Sequence, residues 1–187
     1  MGVCLWPKND SLMVKYHDKE WGKPVKSDKK IFEFLVLESA QAGLSWRTVL
    51  YKREGYRRAF ANFKPSSVAR FGKRDVSRLI KNPNIIRNRL KIEAVINNAK
   101  RFLEVQNEFG TFNKYMWSFV KGEPIDGRRH GLKDLPEYTK ESVALAKDLK
   151  KRGFKFLGPT VIYAHMQAVG MANDHVVDCF RYKELKL

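Results

Sequence analysis

Cysteine is scarce in this 187-residue chain, which has two such residues, Cys4 and Cys179, one near each end. Two thiols are too few for the disulfide framework of small secreted proteins. Long apolar runs are also missing, since no uncharged stretch approaches the ~18 residues that cross a bilayer, and the first ten residues contain no apolar signal segment. The sequence therefore predicts a soluble, cytoplasmic protein.

Acidic residues are few relative to basic ones. The chain has 20 Asp and Glu against 37 Lys and Arg, so its net charge is +17, and the basic residues are spread along its length. Such a field suits a polyanion, because neutralising phosphates with release of counterions supplies most non-specific affinity for nucleic acid. The charge could serve solubility alone, but a large net charge also costs self-repulsion in the folded state. The composition therefore favours a nucleic-acid partner.

Sustained period-two alternation, linkers, repeats and low-complexity segments are absent, which predicts an all-α fold over residues 1–187, as one domain or two small helical lobes sharing a core. One helix begins at Ser27 or Asp28 and ends at Gly43, and Ser45 caps the next, over 46–63. Pro65, Thr139 and Pro159 are typical of further helix starts. Other helical stretches are 66–71, 73–80, 90–109, 113–122, 139–153 and 159–170, with a hairpin over 81–89 and a loop over 122–136.

Two pairs of potential metal ligands lie near the ends of the chain. His17 follows Cys4 after twelve residues, and His175 precedes Cys179 by one helical turn. Such nitrogen and sulfur ligands suit tetrahedral zinc, and a metal would tie down terminal segments that otherwise fray. The spacing is equally compatible with two buried thiols and two ordinary histidines, and a Cys4–Cys179 disulfide is a further alternative. The other histidines are expected to be structural or solvent-facing: His130 and His165.

A carboxylate, Glu38, ends the apolar run "IFEFLVL", and aromatic residues crowd the same quarter of the chain. Core packing is the favoured interpretation for Trp21. For Trp6, Tyr16 and Trp46 a second role competes, because flat rings beside a carboxylate form a pocket for a flat, electron-poor or cationic base. An unpaired buried Glu38 is costly, so a ligand or a nearby hydroxyl must satisfy it.

Two basic segments, "NIIRNRLK" and "KDLKKRGFKFLG", each lie at a hairpin or a glycine turn beside a helix. Backbone N–H groups next to cationic side chains suit phosphate. A solvated face explains either segment alone equally well, but two of them on a strongly basic protein favour the DNA backbone. The cations concerned are Arg87, Arg89, Lys91, Lys150, Lys151, Arg152 and Lys155.

Taken together, these stretches resemble the bacterial 3-methyladenine DNA glycosylase I proteins of the helix-hairpin-helix superfamily. The matching segments run in order from residue 4 to 179 and cover nearly the whole chain. They are "YHDKEWG", "LESAQAGLSWRTVLYKRE", "IIRNRLKIEAVINNA", "YMWSFV", "KKRGFKFLGPT" and "NDHVVDC".

The resemblance implies a role for each matching residue. It places one structural zinc on the four terminal ligands, and a base pocket on Glu38 and the rings of Tyr16, Trp46 and, at its edge, Trp6. The Gly43-Leu44 turn is similar to the element that approaches the gap left by an extruded nucleotide. The hairpin around Ile86 to Arg89 is similar to a non-specific grip on the backbone. The chain departs from the family at Met13, where a tyrosine is frequent, so pocket polarity and selectivity are expected to differ.

The reaction that the resemblance implies is excision of 3-methyladenine from double-stranded DNA, by a monomer that leaves an abasic site. An N3-methylated adenine in DNA is cationic, so the base leaves neutral and needs no acid catalyst. The segment after the hairpin offers only Glu93 as an acid, which leaves Glu38 as the catalytic or base-recognising carboxylate, and no lysine is expected to form a Schiff base. The alternatives are a catalytically silent zinc-stabilised DNA-binding module and, less favoured, an RNA-binding protein.

Overall fold

The structure, a computed structural model, describes residues 4–7 and 9–186. Residues 1–3, 8 and 187, the remainder of the predicted 1–187 domain, lie outside the described residues. Within the described part the fold is mostly helical, as predicted, with two short 3₁₀ turns at Ala61–Phe63 and Leu132–Asp134. Its α-helices are α1 (Ser11–Lys19), α2 (Asp28–Gln41), α3 (Trp46–Ala59), α4 (Pro65–Val68), α5 (Lys73–Ile80), α6 (Arg89–Phe109), α7 (Phe112–Ser118), α8 (Lys140–Lys151), α9 (Pro159–Ala168) and α10 (Phe180–Leu185).

Helix α2 forms the centre of the fold. Every residue from Ile31 to Ala40 is buried, and the helix packs against α3, α6, α7 and α9. A helix that is buried on all sides explains the continuous apolar run in its sequence. The apolar core is contiguous from Cys4 to Tyr182, which is consistent with one domain.

The break between α2 and α3 follows the predicted chemistry. Gly43 has φ of +78°, the left-handed conformation that glycine adopts without a steric penalty at the end of a helix. The hydroxyl of Ser45 then accepts a hydrogen bond from the Thr48 N–H and caps α3. The result is an exposed turn that joins two helices, one buried and one half-exposed.

The predicted hairpin, residues 81–89, connects α5 to α6, which begins one residue earlier than predicted, at Arg89, and the hairpin rests on α3. The carbonyl oxygen of Asn84 lies 2.1 Å from the position that a Cβ on Gly55 would occupy, so this close approach requires glycine in α3. The Ile86 N–H donates to the Tyr56 hydroxyl, and the Lys52 amine donates to the Pro83 carbonyl. These contacts hold the hairpin against α3.

A two-stranded parallel sheet is the main element that the sequence pattern misses. Strands β1 (Ile125–Asp126) and β2 (Ala172–Asn173) pair in register Ile125 with Ala172. Two residues per strand carry no usable periodicity. The pairing brings the predicted loop, residues 122–136, against the segment that follows α9.

The remaining differences concern helix ends. The second predicted helix ends at Ala59 and not at residue 63, because residues 61–63 all have positive φ. Helices α1 and α10 were not predicted. Among the described residues, every helix is too short or too polar to cross a membrane.

Candidate active site

A cavity of about 210 Å³ opens between α2, α9 and the start of α3. Helix α1 and the segment that follows it close one side, and the loop after β1 closes another. The walls are mainly apolar and aromatic, with few polar groups, as is usual for a small-molecule site. The lining residues are Trp6, Tyr16, Trp21, Glu38, Gln41, Trp46, Leu132, Leu135, Ala164 and Gln167.

Glu38 is the one acidic side chain among the residues lining this cavity. It lies in the last turns of α2 and is 4% exposed. Burial raises the pKa of its carboxyl group to about 8, and no cation or hydrogen-bond donor among the described residues offsets that burial. Such an unpaired buried acid is costly to the fold, which points to a functional role.

The cavity that Glu38 lines is also lined by the aromatic rings of Tyr16, Trp46 and Trp6. The ring centroids of Tyr16 and Trp46 are 5.1 Å apart, and Trp6 meets Tyr16 edge-on at 6.2 Å. The indole nitrogens of Trp6 and Trp46 are buried without a hydrogen-bond partner among the described residues. Burial, together with the nearby charge of Glu38, raises the pKa of the Tyr16 hydroxyl well above its ordinary value. The cavity is therefore lined by one carboxyl group, that of Glu38, and by aromatic rings, among them the ring of Tyr16 with its hydroxyl.

The structure brings several residues to this cavity that the sequence analysis did not place there. Trp21, for which core packing was favoured, is buried and also lines the cavity. Leu132 and Leu135 arrive from a loop distant in sequence, and no local pattern identifies them. Met13, where a tyrosine was expected from the family, is buried but is not among the lining residues.

Gln167 is a further lining residue that was missed. Its amide nitrogen donates to the carboxylate of Asp174, which is fully buried and also receives hydrogen bonds from Arg129 and Tyr163. Because a carboxylate only accepts hydrogen bonds, the orientation of the Gln167 amide is determined. The amide nitrogen donates its hydrogen bond to Asp174, and the amide oxygen remains able to accept a hydrogen bond from another group.

The four predicted metal ligands come together beside this cavity. The ligand atoms of Cys4, His17, His175 and Cys179 all lie within 4.8 Å of one another, and all four residues are buried. The Cys4 and Cys179 sulfurs are 3.6 and 3.7 Å from His175 Nδ1. Both thiols are free, so the disulfide alternative is not realised.

The other nitrogens of the two imidazoles have partners that orient the rings. His17 Nδ1 lies 2.7 Å from the Asp18 carboxylate, and His175 Nε2 lies 3.0 Å from the Trp21 carbonyl. Each ring therefore directs its remaining nitrogen into the cluster, an arrangement common around metal ions. Two thiols and two oriented imidazoles fit tetrahedral zinc in number, type and spacing.

Comparison with known proteins agrees with this geometry. The family model described as "Methyladenine glycosylase" matches residues 6–182. The chain belongs to the methyladenine glycosylase family.

Relatives match over nearly their whole length. The DNA-3-methyladenine glycosylase 1 of Escherichia coli strain K12 is 48% identical over 182 residues, covering 97% of each chain. The DNA-3-methyladenine glycosylase of Haemophilus influenzae is 46% identical over 176 residues, covering 94% of this chain and 95% of the relative. Among solved structures, a 3-methyladenine DNA glycosylase I from Staphylococcus aureus, described in terms of 3-methyladenine recognition, superposes with a TM-score of 0.93 at 39% identity, covering 96% of each chain.

Several of the predicted DNA-contact residues of this family member lie at the surface. Gly43 and Leu44 are exposed in the turn between α2 and α3, and Arg87 is exposed in the hairpin. Ile86 is half-buried and anchors the hairpin. Arg89 is exposed and lies 3.5 Å from Glu93, while Lys151 is exposed at the end of α8.

Besides Arg89, two more of the predicted phosphate-binding cations, Lys91 and Arg152, have partners within the protein. The Lys91 amine is buried and donates to the backbone carbonyls of Ala40 and Ala42, at 2.9 and 2.6 Å. The prediction that Lys91 faces DNA is therefore corrected, because the end of α2 supplies unpaired carbonyls that its ammonium satisfies. Arg152 pairs with Glu108 and Asp148 and is neutralised by them.

Proposed function

We propose that this chain is a monofunctional DNA glycosylase that flips 3-methyladenine out of alkylated double-stranded DNA, excises it and leaves an abasic site. The observation that carries the proposal is the Glu38 carboxyl group, which is buried, without a partner among the described residues, in a cavity lined by aromatic rings. The names of the relatives support the same substrate.

The cavity is suited to distinguish a cationic base from a neutral one. With its pKa raised to about 8 by burial, Glu38 is mostly protonated in the empty protein at neutral pH. A methylated, positively charged base stabilises the ionised carboxylate, whereas neutral adenine does not. The rings of Tyr16 and Trp46 add stacking and cation–π attraction. The cationic base lowers the free energy needed to ionise Glu38, and neutral adenine does not. This difference makes the cavity selective for the methylated base.

The chemistry needs little from the protein. The N-glycosidic bond breaks with its electron pair moving to the base, which leaves as neutral 3-methyladenine, and water adds to the sugar carbon and releases a proton. Glu38 recognises the base and, as an anion, stabilises the positive charge that develops on the sugar. No lysine is among the residues lining the cavity, which supports a monofunctional reaction without a Schiff base.

Two exposed elements have different proposed roles on DNA, the Gly43-Leu44 turn and the hairpin. The exposed Gly43-Leu44 turn begins two residues after the end of α2, whose last turn carries Glu38, so it is the element best placed to enter the gap left by the flipped nucleotide. The hairpin with Arg87 and Arg89 holds the DNA backbone, since its cations and N–H groups suit phosphate. Lys151 adds a further cation.

For the remaining features we propose one zinc ion held by Cys4, His17, His175 and Cys179. The ion is structural, because four protein ligands leave no open position. The protein acts as a monomeric single domain on DNA in the bacterial cytoplasm.

Incubation with methylated duplex DNA, followed by analysis of the released bases, tests the proposal. Wild type is expected to release 3-methyladenine. Glu38→Gln should lower excision at least ~100-fold while changing affinity for abasic-site DNA less than about 3-fold, because the substitution removes an interaction made with the flipped base. Glu93→Gln is the matched control, since this acid is exposed after the hairpin, and it should retain full excision. Duplex binding by wild type without base release would instead identify a silent DNA-binding module.

A further inference from the structure

Lys91 holds the end of the helix that carries Glu38. Its side chain leaves the third residue of α6 and reaches the last carbonyls of α2, those of Ala40 and Ala42. Lys91 is 9% exposed. Beyond these two carbonyls the chain turns at Gly43 and Leu44, so the contact is made at the base of that turn.

The contact is electrostatically specific. The last carbonyls of a helix have no partners within the helix and form the negative end of its dipole. An ammonium group offers three donors and a full positive charge to them. Burial lowers the pKa of Lys91, and no carboxylate among the described residues opposes that effect. The end of α2 is thus the counter-charge for this buried cation.

Lys91 also lies directly after the hairpin. The Asn88 side chain, at the N-terminus of α6, accepts a hydrogen bond from the Lys91 backbone N–H at 3.1 Å. Arg87 and Arg89, the exposed hairpin cations, flank this cap. The short segment 87–91 therefore connects the proposed phosphate-binding residues of the hairpin, Arg87 and Arg89, to the end of α2.

We propose that Lys91 is a positioning residue that sets the Gly43-Leu44 turn relative to the hairpin, so that the turn meets the DNA where the hairpin has gripped it. The inference rests on the proposed function. Lys91 does not touch the base; it acts through the backbone of residues 40–42. It therefore affects nucleotide extrusion from the duplex more than it affects the base cavity, because Gln41 is the one lining residue within that segment.

Lys91→Met, which retains the length of the side chain and removes its donors, tests the proposal. We expect single-turnover excision from duplex DNA to fall about 10- to 100-fold, with affinity for undamaged duplex and for free 3-methyladenine changed less than about 3-fold. Lys91→Arg should recover much of the rate, because a guanidinium also donates to carbonyls. Lys100→Met, an exposed lysine on the same helix, is the matched control and should behave as wild type.

Two local measurements separate positioning from a merely structural role. Fluorescence of 2-aminopurine next to the lesion should report weaker extrusion in Lys91→Met. Amide exchange at Leu44, whose N–H bonds the Gln41 carbonyl, should accelerate while exchange in α9 is unchanged. If Lys91→Met does not fold, Lys91→Gln, whose side chain is uncharged and one atom shorter than that of lysine, takes its place in the same measurements with the same expected losses.

The outcomes distinguish this inference from the function on which it rests. Wild-type excision with an unimpaired Lys91→Met overturns the positioning role and leaves the glycosylase intact. An equal loss of free-base affinity and excision overturns it as well, because the cavity would then depend on Lys91. Absence of excision by wild type contradicts the proposed function itself.

Discussion

Burial of Glu38 lowers the stability of the folded protein near neutral pH, while its carboxyl group serves the proposed recognition of the base. A carboxyl group whose pKa is raised to about 8 keeps its proton in the folded state, whereas the unfolded chain loses that proton near pH 4.5. Between pH 4.5 and 8 the folded state therefore binds more protons than the unfolded state. The contribution of Glu38 to the free energy of unfolding decreases as the pH rises through this range. Each pKa unit corresponds to about 1.4 kcal/mol.

Glu38→Gln is therefore expected to stabilise the free protein. The gain should be near zero at pH 4.5 and reach about 2–4 kcal/mol at pH 8, since the amide never ionises. Urea unfolding at a series of pH values measures it.

Glu33→Gln is the control with the opposite sign. Glu33 is equally buried on α2 but pairs with Arg53 and Arg57. Removing one partner of a buried ion pair destabilises by roughly 3–5 kcal/mol. A stability gain at Glu38→Gln that does not grow with pH would contradict the assignment of the raised pKa to this carboxyl group.

At the level of elements, charge in the sequence is not the same as charge available to DNA. Arg87 lies exposed on the hairpin, while Arg152 at the end of α8 is held by Glu108 and Asp148. Only the first is free to replace counterions on phosphate. The same sequence property, a run of basic residues, therefore has different consequences in the two elements.

Arg87→Gln and Arg152→Gln should accordingly differ. Arg87→Gln should weaken duplex binding and reduce the slope of log affinity against log salt by about 1, without a change in unfolding free energy. Arg152→Gln should leave the salt slope unchanged and destabilise the fold by about 1 kcal/mol through loss of its ion pairs. If Arg87→Gln and wild type have equal salt slopes, the proposal that Arg87 on the hairpin contacts DNA phosphates is contradicted.

The elements themselves were largely predictable. Caps and breakers such as Ser45, Gly43 and Thr139 are local signals, and the structure confirms the helices that they mark. The sheet of β1 and β2 was not predictable, because it pairs residues that lie 47 positions apart in the chain, Ile125 with Ala172 and Asp126 with Asn173. The burial of Lys91 was not predictable either, since its partner is the backbone of a distant helix.

For the whole molecule, the cysteine and histidine cluster joins both ends of the chain to the wall of the cavity. Trp21 lines the cavity, its carbonyl bonds His175, and its ring centroid lies 4.5 Å from the His175 ring. Trp6 contacts both Trp21 and His17. Loss of the proposed ion would therefore loosen the termini and the cavity together.

Metal removal tests this connection. Elemental analysis should find one zinc per chain. Chelation should lower the unfolding midpoint by about 10 °C, which corresponds to a loss of about 2.5–5 kcal/mol because 1 kcal/mol shifts a domain of this size by about 2–4 °C. Quenching of tryptophan fluorescence by 3-methyladenine should weaken in parallel. His130→Ala, an exposed histidine outside the cluster, should retain both zinc and midpoint. If the protein is folded and free of zinc and its unfolding midpoint is unchanged, the zinc site is contradicted. The four residues would then be ordinary core residues.

The sequence by itself determined the helical class, the capped helix starts such as those at Ser45 and Thr139, and the identity of the chemically distinctive residues, because periodicity, capping and residue type are local properties. Only the tertiary structure decided which of them act together. Burial without a partner raises the pKa of Glu38, and pairing removes Arg152 and Lys91 from the exposed cations. The cavity wall is completed by Leu135 and Gln167, which no local pattern connects to Glu38. These properties depend on distance and solvent exclusion between segments far apart in the chain, and only folding establishes them.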